Sequence, residues 1–494
     1  MTTVLRCTRR TKVQHARSRQ RQRRLRRQAK RRRAYRKPRR PAPLPQAIRR
    51  VTDSLLEAFR AAFTRPTYER FVVLLLAAIL TTGCRTILNL LRTVDALAPG
   101  HPSSYHRVFS RRRCSLWRLG RALAGYLLRR WVPHGTVSVA GDDTVAEHKG
   151  KCVYGKARHR DAVRSSHSYT AFRWGHKWVV LAILVRFPFA TRPWALPVLV
   201  ALYRSAKDNQ RLGRRHKTPP ELLRQLLAVL CHWFPQRHFA CTADGNFATH
   251  NLARFAARHR RRLTLVSRFY ADAALYAPPP PAPTKRKKGR PRVKGAKQAT
   301  PEEAVAQARR RQRLNVAWYG GGRRDIAVVS STGQWYQAGA GLVAVRWVYG
   351  EDQTGTHRPE YFFTTDTSQT PQQLVEAYTG RWNIETMFEE MRSYLKLEKS
   401  RGWKEQTVLR TAPCLFGLYT VIAVWFADLP ARWRSQRAMP RPDAAVVTFA
   451  DAITALRRWL WSQWVFATPA HQTAFAKIPP RLRDLLMRGL APTP

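Results

Sequence analysis

Acidic residues are scarce in this chain. Only 29 Asp and Glu stand against 91 Lys and Arg, a formal net charge of +62. So basic a chain needs a polyanion. Nucleic acid leads, because every phosphate contact releases counterions, and an anionic membrane comes second. Cysteine pairing is also missing. Cys7, Cys84, Cys114, Cys152, Cys231, Cys241 and Cys414 form no C-x-x-C pair, which reads as reduced thiols in a cytoplasmic protein. Cys231, His232, His238 and Cys241 lie close together but match no common zinc spacing. No apolar run is long enough to span a membrane. The stretches at 71–84 and 412–427 fall short of the ~20 residues required and read as buried helices. The charged N-terminus lacks the apolar segment of a signal peptide. No G-x-x-x-x-G-K-[ST] loop is present, so no nucleotide cofactor is expected. No internal repeat is visible.

What is present can fold. Hydrophobic residues make up 44% of the 494 positions, and there are 16 Trp, enough for sizeable cores. Residues 1–44 form an Arg-rich arm, with 19 Lys or Arg and no acid in the first 40 positions; such a segment does not fold alone. Residues 45–133 read as a helical domain, and Arg107, Arg111, Arg112 and Arg113 are its candidates for meeting DNA. From 134 to 269 the pattern is mixed α/β. "TVSVAGDD" is a short strand, "SYTAFRWGHKWVVLAILV" reads as two strands about Gly175, and "RHFACTAD" and "LTLVSRF" are strands with helices between them. Residues 270–368 interrupt it. A Pro- and Lys-rich loop contains "KKGRPR", which resembles a minor-groove AT-hook and includes Arg290; a solvated basic loop fits as well. β-strands carrying Trp318, Trp335 and Trp347 follow. Helices then occupy 369–430, and a helical region 431–494 closes the chain.

The stretch 375–396 carries the informative pattern. Thr370, Pro371 and Gln373 supply a capping box and a helix start. At about 100° per residue, Tyr378, Arg381, Glu385 and Arg392 fall within roughly 60° of one another. Gly380 marks where the helix would kink or break, since an interior Gly costs about 1 kcal/mol. The stripe therefore holds one carboxylate on a basic and aromatic face. Asp142, Asp143 and Asp244 are acids at strand ends, where α/β sheets build sites. Two such Asp with Glu385 would make a three-carboxylate cluster, which like-charge repulsion destabilises unless cations enter. Hard divalent metal answers that need: Mg²⁺ takes oxygen ligands, and two ions about 3.5–4 Å apart clamp both oxygens of a phosphodiester exchange. Each Asp alone also reads as a turn residue.

"AGDDT", "TADGNF" and "Y-x2-R-W-x-I-E" resemble the motifs of the DDE transposases of bacterial insertion sequences, and the likeness runs over roughly 60–430. The resemblance implies a ribonuclease H-like mixed-sheet core with a β-rich insertion, preceded by a helical DNA-binding domain. It implies Asp143, the Asp directly before Thr, with Asp244 and Glu385 as catalytic metal ligands for two Mg²⁺ ions, with Mn²⁺ as a substitute. Tyr378, Arg381 and Arg392 would hold the DNA backbone. Arg392 stands where the family carries Lys, which keeps the charge and changes the geometry. Trp318, Trp335 and Trp347 are candidates to stack an extruded base; ordinary sheet packing is the competing reading for each. The implied activity is cut-and-paste transposition. The terminal inverted repeats are bound, the phosphodiester is hydrolysed and the 3′ end is joined to target DNA, with two protomers pairing two ends. The alternative is a catalytically inactive or repurposed DNA-binding protein. An RNA-binding protein is a further rival, which leaves the acids unexplained.

Overall fold

The computed structural model describes residues 41–161, 165, 168–280, 292–436 and 446–492. Most of the Arg-rich arm and Arg290, with most of "KKGRPR", lie outside the described residues.

Five helices come first: α1 (Gln46–Arg60), α2 (Arg65–Leu80), α3 (Ile87–Val94), α4 (Pro102–Ser110) and α5 (Leu116–Arg130). Helical spacing explains α1, which buries Ile48, Val51, Leu55 and Phe59 on one face. Local chemistry sets the other starts. The Thr86 hydroxyl accepts from the Asn89 amide at 3.3 Å, and Ser115 accepts from Arg118. The first apolar run forms α2, buried from Phe71 to Ala77 and again at Ile79 and Leu80. Two buried arginines serve its C-terminus: Arg85 Nε donates to the Ala78 carbonyl and Arg457 Nε to that of Ile79, both at 2.8 Å. Cations there satisfy orphan carbonyls and oppose the helix dipole.

The sheet has eleven strands among the described residues: β1 (Val137–Glu147), β2 (Ala157–Arg160), β3 (Phe172–Val185), β4 (Trp194–Tyr203), β5 (Phe239–Ala243), β6 (Leu263–Arg268), β7 (Leu275–Tyr276), β8 (Gln312–Ala317), β9 (Arg323–Gln337), β10 (Gly341–Asp352) and β11 (Glu360–Thr364). Their order is β2-β3-β1-β5-β6-β11-β10-β9-β7, with β4 also on β3 and β8 on β9. β1 runs antiparallel to β3 and parallel to β5; β5 is parallel to β6. The mixed α/β expectation holds. The strands after residue 270 extend this same sheet, because β11 pairs antiparallel with β6.

Three details differ from the sequence reading. β1 continues past the Asp pair to Glu147. β4 lies in "WALPVLVALY", a stretch not read as a strand. Gly175 does not divide β3, which runs through it unbroken; a Cβ there would collide with the Ala146 carbonyl oxygen of β1. Gly175 is thus a close-approach residue.

Helices cover the two faces. α6 (Pro219–Trp233) sits over Gly141, whose missing Cβ would come within 2.6 Å of Leu223. α7 (His250–Arg258) packs on β6. α8 (Pro371–Gly380) and α9 (Asn383–Leu395) cover the opposite face. There Thr242 of β5 donates to the Ala377 carbonyl at 3.4 Å, and Arg392 donates to Thr144 of β1. α10 (Glu405–Asp428) holds the second apolar run and packs on β4 and α11 (Phe449–Leu460). This corrects the expectation that no apolar run is long enough to span a membrane: among the described residues α10 alone is long and apolar enough to cross one, and over half of that apolar window is buried in the fold, as the expectation of a buried helix requires.

Gly175→Ala should destabilise the chain by about 1–3 kcal/mol, as overpacking against a backbone oxygen does. Gly83→Ala, with open space around it, should change stability by less than about 0.5 kcal/mol. Denaturant midpoints followed by Trp fluorescence check both.

Candidate active site

Strand register builds the site. In the parallel β1–β5 pair, Ala140 lies opposite Thr242 and Gly141 opposite Ala243. One step further, Asp244, just past the end of β5, comes beside Asp142 in the middle of β1. Side chains alternate along a strand, so Asp142 faces the side that Thr242 and Thr144 share with α8 and α9. Asp143 faces the other side.

The sequence cap is present. Thr370 accepts from the Gln373 amide at 3.2 Å, and Gln373 accepts from the Thr370 amide at 2.9 Å. Helix α8 ends at Gly380, and α9 begins at Asn383. Arg381 occupies the break, which turns its side chain inward to 7% exposure. Its guanidinium gathers the acids. Nη1 donates to Asp142 Oδ2 at 2.9 Å, Nη2 lies 2.8 Å from Glu385 Oε1, and the same nitrogen is 4.0 Å from Asp244 Oδ1. The group also lies over the Tyr378 ring, 5.4 Å from its centroid.

Burial grades the three acids. Asp142 is nearly enclosed, Asp244 is 29% exposed and Glu385 is 46% exposed. Burial pushes the Asp142 carboxyl up to about 7, with Arg381 pulling the other way and Asp244 and Asp143 adding to the rise. Its Oδ1 accepts from the Asp143 amide at 2.7 Å. Asp143 instead pairs with Lys177 of β3 at 3.0 Å; burial raises its carboxyl as well, with Lys177 opposing.

The structure therefore brings together Asp142, Asp244, Glu385, Arg381 and Tyr378. It does not bring Asp143 to the shared guanidinium, since adjacent strand residues point to opposite faces. Tyr378 is fully buried against Phe362, with ring centroids 4.6 Å apart, so it supports Arg381 and presents no surface to a DNA backbone. Arg392 is half-buried between Thr144 and Glu398. Arg107, Arg111, Arg112 and Arg113 are exposed around the end of α4.

The three tryptophans divide. Trp347 is 1% exposed and Trp335 is packed among His250, Phe269 and Phe363. Neither has a free face for a base, which corrects the expectation for both. Trp318 lines a cavity of about 440 Å³ that opens beside Arg381, Trp382 and Glu385. Tyr319 and His357, with rings stacked 5.8 Å apart, share that wall. Arg358 supplies its positive charge, while Arg268 is ion-paired with Glu360 in the same wall. Asp352, buried and ionised, fixes the wall. It accepts from the amides of Thr354 and His357 at 3.0 and 3.1 Å, from the Thr356 hydroxyl at 2.9 Å and from Arg324 at 3.0 Å. Sequence reading passed over Tyr319, His357 and Asp352. The available signal was "EDQTGTH", an Asp followed by Thr at two and four positions, the pattern of a side-chain-bonded turn.

Among the described residues no three carboxylates converge closely enough to hold an ion while Arg381 stands between them. The donors nonetheless fit a hard divalent cation in kind and charge. All are carboxylate oxygens, and three acids against one guanidinium leave a deficit of positive charge. Admission of a cation requires Arg381 to release at least one acid.

α9 is held from behind by Glu390, which accepts from the Tyr419 hydroxyl of α10 and lies 3.6 Å from Arg192. Burial pushes this carboxyl from 4.5 up to about 7, against the pull of Tyr419 and Arg192. The folded state keeps a proton that the unfolded chain releases. Glu390 therefore favours folding most below about pH 4.5, and that contribution is lost as the pH rises to about 7. Glu390→Gln should flatten the fall in stability across that window. Denaturant unfolding of both proteins from pH 4.5 to 7.5 measures it, and parallel curves would contradict it.

Comparison with known proteins adds three findings. The family described as DDE superfamily endonuclease matches residues 58–325, more than half of the chain, a span that includes Asp142, Asp143 and Asp244 and ends before Glu385. No curated protein matches. Among solved structures, a cryo-EM structure of piggyBac transposase in a synaptic complex with hairpin DNA aligns at 12% identity and a TM-score of 0.39, covering 90% of this chain and 82% of that one.

Proposed function

We propose, because this chain belongs to the DDE superfamily of endonucleases, that it is a transposase: it binds the terminal inverted repeats of its own element, cleaves there and joins the 3′ ends to target DNA. The observation that carries this reading is the Arg381 guanidinium shared by Asp142 of β1, Asp244 at the end of the parallel β5 and Glu385 of α9. A cluster of acids in a chain of net charge +62 needs a reason, and phosphodiester chemistry supplies one. Enzymes of the superfamily use divalent metal ions; Mg²⁺, with Mn²⁺ as substitute, suits an all-oxygen donor set.

Asp142, Asp244 and Glu385 would hold the cation. What supports Asp142 over Asp143 is the face it shares with α9; what supports Asp143 is the likeness of "DDT" to the family motif. When bound, the cation would polarise the scissile phosphate and lower the pKa of an attacking water. The remaining work belongs to this chain's side chains. Arg381 keeps the acids close while no cation is present, and a DNA phosphate offers it a replacement partner as it releases them. Arg358 flanks the cavity and suits a phosphate beside the cleaved bond, and Arg268 would have to share its guanidinium between Glu360 and a phosphate. Trp318, Tyr319 and His357 offer flat faces to one base turned out of the duplex. Arg107, Arg111, Arg112 and Arg113, exposed around the end of α4, would track the duplex, and a homodimer would pair the two ends.

The reading is tested with a labelled duplex carrying the element's terminal repeat, Mg²⁺ and the full-length protein. Glu385→Ala, Asp244→Asn and Asp142→Asn should each lower cleavage about 10²-fold or more and leave binding to the end within about threefold. Asp143→Asn should cost far less. Loss on Asp143→Asn with activity kept by Asp142→Asn would transfer the role to Asp143. Binding without cleavage by the wild type would favour the repurposed DNA binder.

A further inference from the structure

We infer that the end of β3 and its β2 edge form a second nucleic-acid surface, one that takes an unpaired DNA strand; the inference rests on the proposed activity for its biological setting. Phe172 and Trp174 are 47% and 56% exposed, and Trp403 is 58% exposed. Large aromatic rings left in water on a soluble chain point to a partner. Each carries a cation. Arg158 lies 4.1 Å from the Phe172 ring centroid, Lys156 lies 5.5 Å from that of Trp174, and Lys404 lies 5.0 Å from that of Trp403.

Register ties these rings to the site. Asp142 pairs with Val180, and Val180, Trp178, His176, Trp174 and Phe172 share one face of β3 by alternation. The first three are buried; the last two emerge where the helical cover ends. Trp174 is six residues from Val180, about 20 Å along the strand at ~3.4 Å per residue. Two cavities, of about 690 and 650 Å³, flank the 147–153 loop, with Trp403 lining one and Phe172 and Trp174 the other. Lys149 and Lys151 line both. The acids in these walls, Glu147 and Glu398, share Arg173 at 3.4 and 3.6 Å, and Lys149, Lys151, Lys156, Lys399 and Arg401 outnumber them, so the surface stays cationic. Arg158 and Arg160 are exposed on β2, at the edge of the sheet.

The chemistry selects a single strand. In a duplex the base faces are covered and only phosphates and groove edges are offered, so rings that act by stacking would add little. An unpaired strand offers both a base face to each ring and a phosphate to each cation, and stacking of this kind tolerates any sequence. The surface lies on the same sheet face as the acids, so it suits a strand that leaves the duplex next to the cleaved bond.

The test uses the full-length protein and fluorescence anisotropy with a 20-nucleotide oligo-dT, a 20-base-pair duplex and a 20-nucleotide oligo-U at fixed salt. Phe172→Ala/Trp174→Ala should weaken oligo-dT binding by about tenfold or more and duplex binding by less than threefold. Trp174→Phe should bind as the wild type, since a ring remains, and unchanged thermal midpoints exclude misfolding. Equal loss on both DNAs, or no loss on oligo-dT, overturns the proposal. Tighter wild-type binding to oligo-U than to oligo-dT overturns the assignment to DNA. Glu385→Ala, measured alongside, separates the two readings. If it still cleaves, the active-site reading fails while the stacking surface stands on its own binding data.

Discussion

One buried guanidinium organises the centre of this molecule. Arg381 contacts acids from β1 and from its own turn, and it lies near a third at the end of β5. Without that cation, Asp142 on β1, Asp244 after β5 and Glu385 on α9 would repel one another in a region where burial already raises the Asp142 carboxyl. With it, the strand ends and the α8–α9 junction become one unit. Tyr378 lies beneath the guanidinium and Phe362 beneath Tyr378, so the charge cluster rests on the hydrophobic core. The break after Gly380 belongs to the same design, because it lets Arg381 turn inward while Glu385 follows one helical turn later.

The strands after residue 270 matter because they continue the sheet. β11 joins β6, and the β10–β11 turn, tied by Asp352, sets His357 against Tyr319 beside Trp318. An aromatic cavity is thereby fixed at the edge of the acid cluster by backbone pairing and a buried ionised side chain. The opposite end of the core places a different aromatic surface on β3. In the strand order Asp142 on β1 and Asp244 after β5 lie between these two surfaces.

Much of this was legible from residue types. The Thr370 capping box, the break near Gly380, the strand end before Asp244 and most strands after 310 follow from local chemistry and periodicity, whereas β1 runs on past Asp142 to Glu147. What failed had physical causes. Gly175 looked like a breaker because glycine weakens strands, yet here its missing side chain admits the Ala146 carbonyl. β4 shows no alternation, since both its faces are covered along most of its length. Trp318, Trp335 and Trp347 look equivalent in sequence, and only tertiary packing leaves one of them at a cavity. The choice between Asp142 and Asp143 is a question of strand phase. A shift of one residue exchanges the faces, and neither composition nor spacing carries that information.

The central claim is that Asp142, Asp244 and Glu385 form a divalent-cation site once Arg381 yields. The most direct measurement replaces the cation with Fe²⁺ in the DNA-bound protein and maps the backbone cuts made by locally generated hydroxyl radicals. The account predicts cuts near residues 142, 244 and 385 together, abolished by excess Mg²⁺ and by Glu385→Ala. Cuts confined elsewhere, or cuts at these three places that persist in Glu385→Ala, would contradict it.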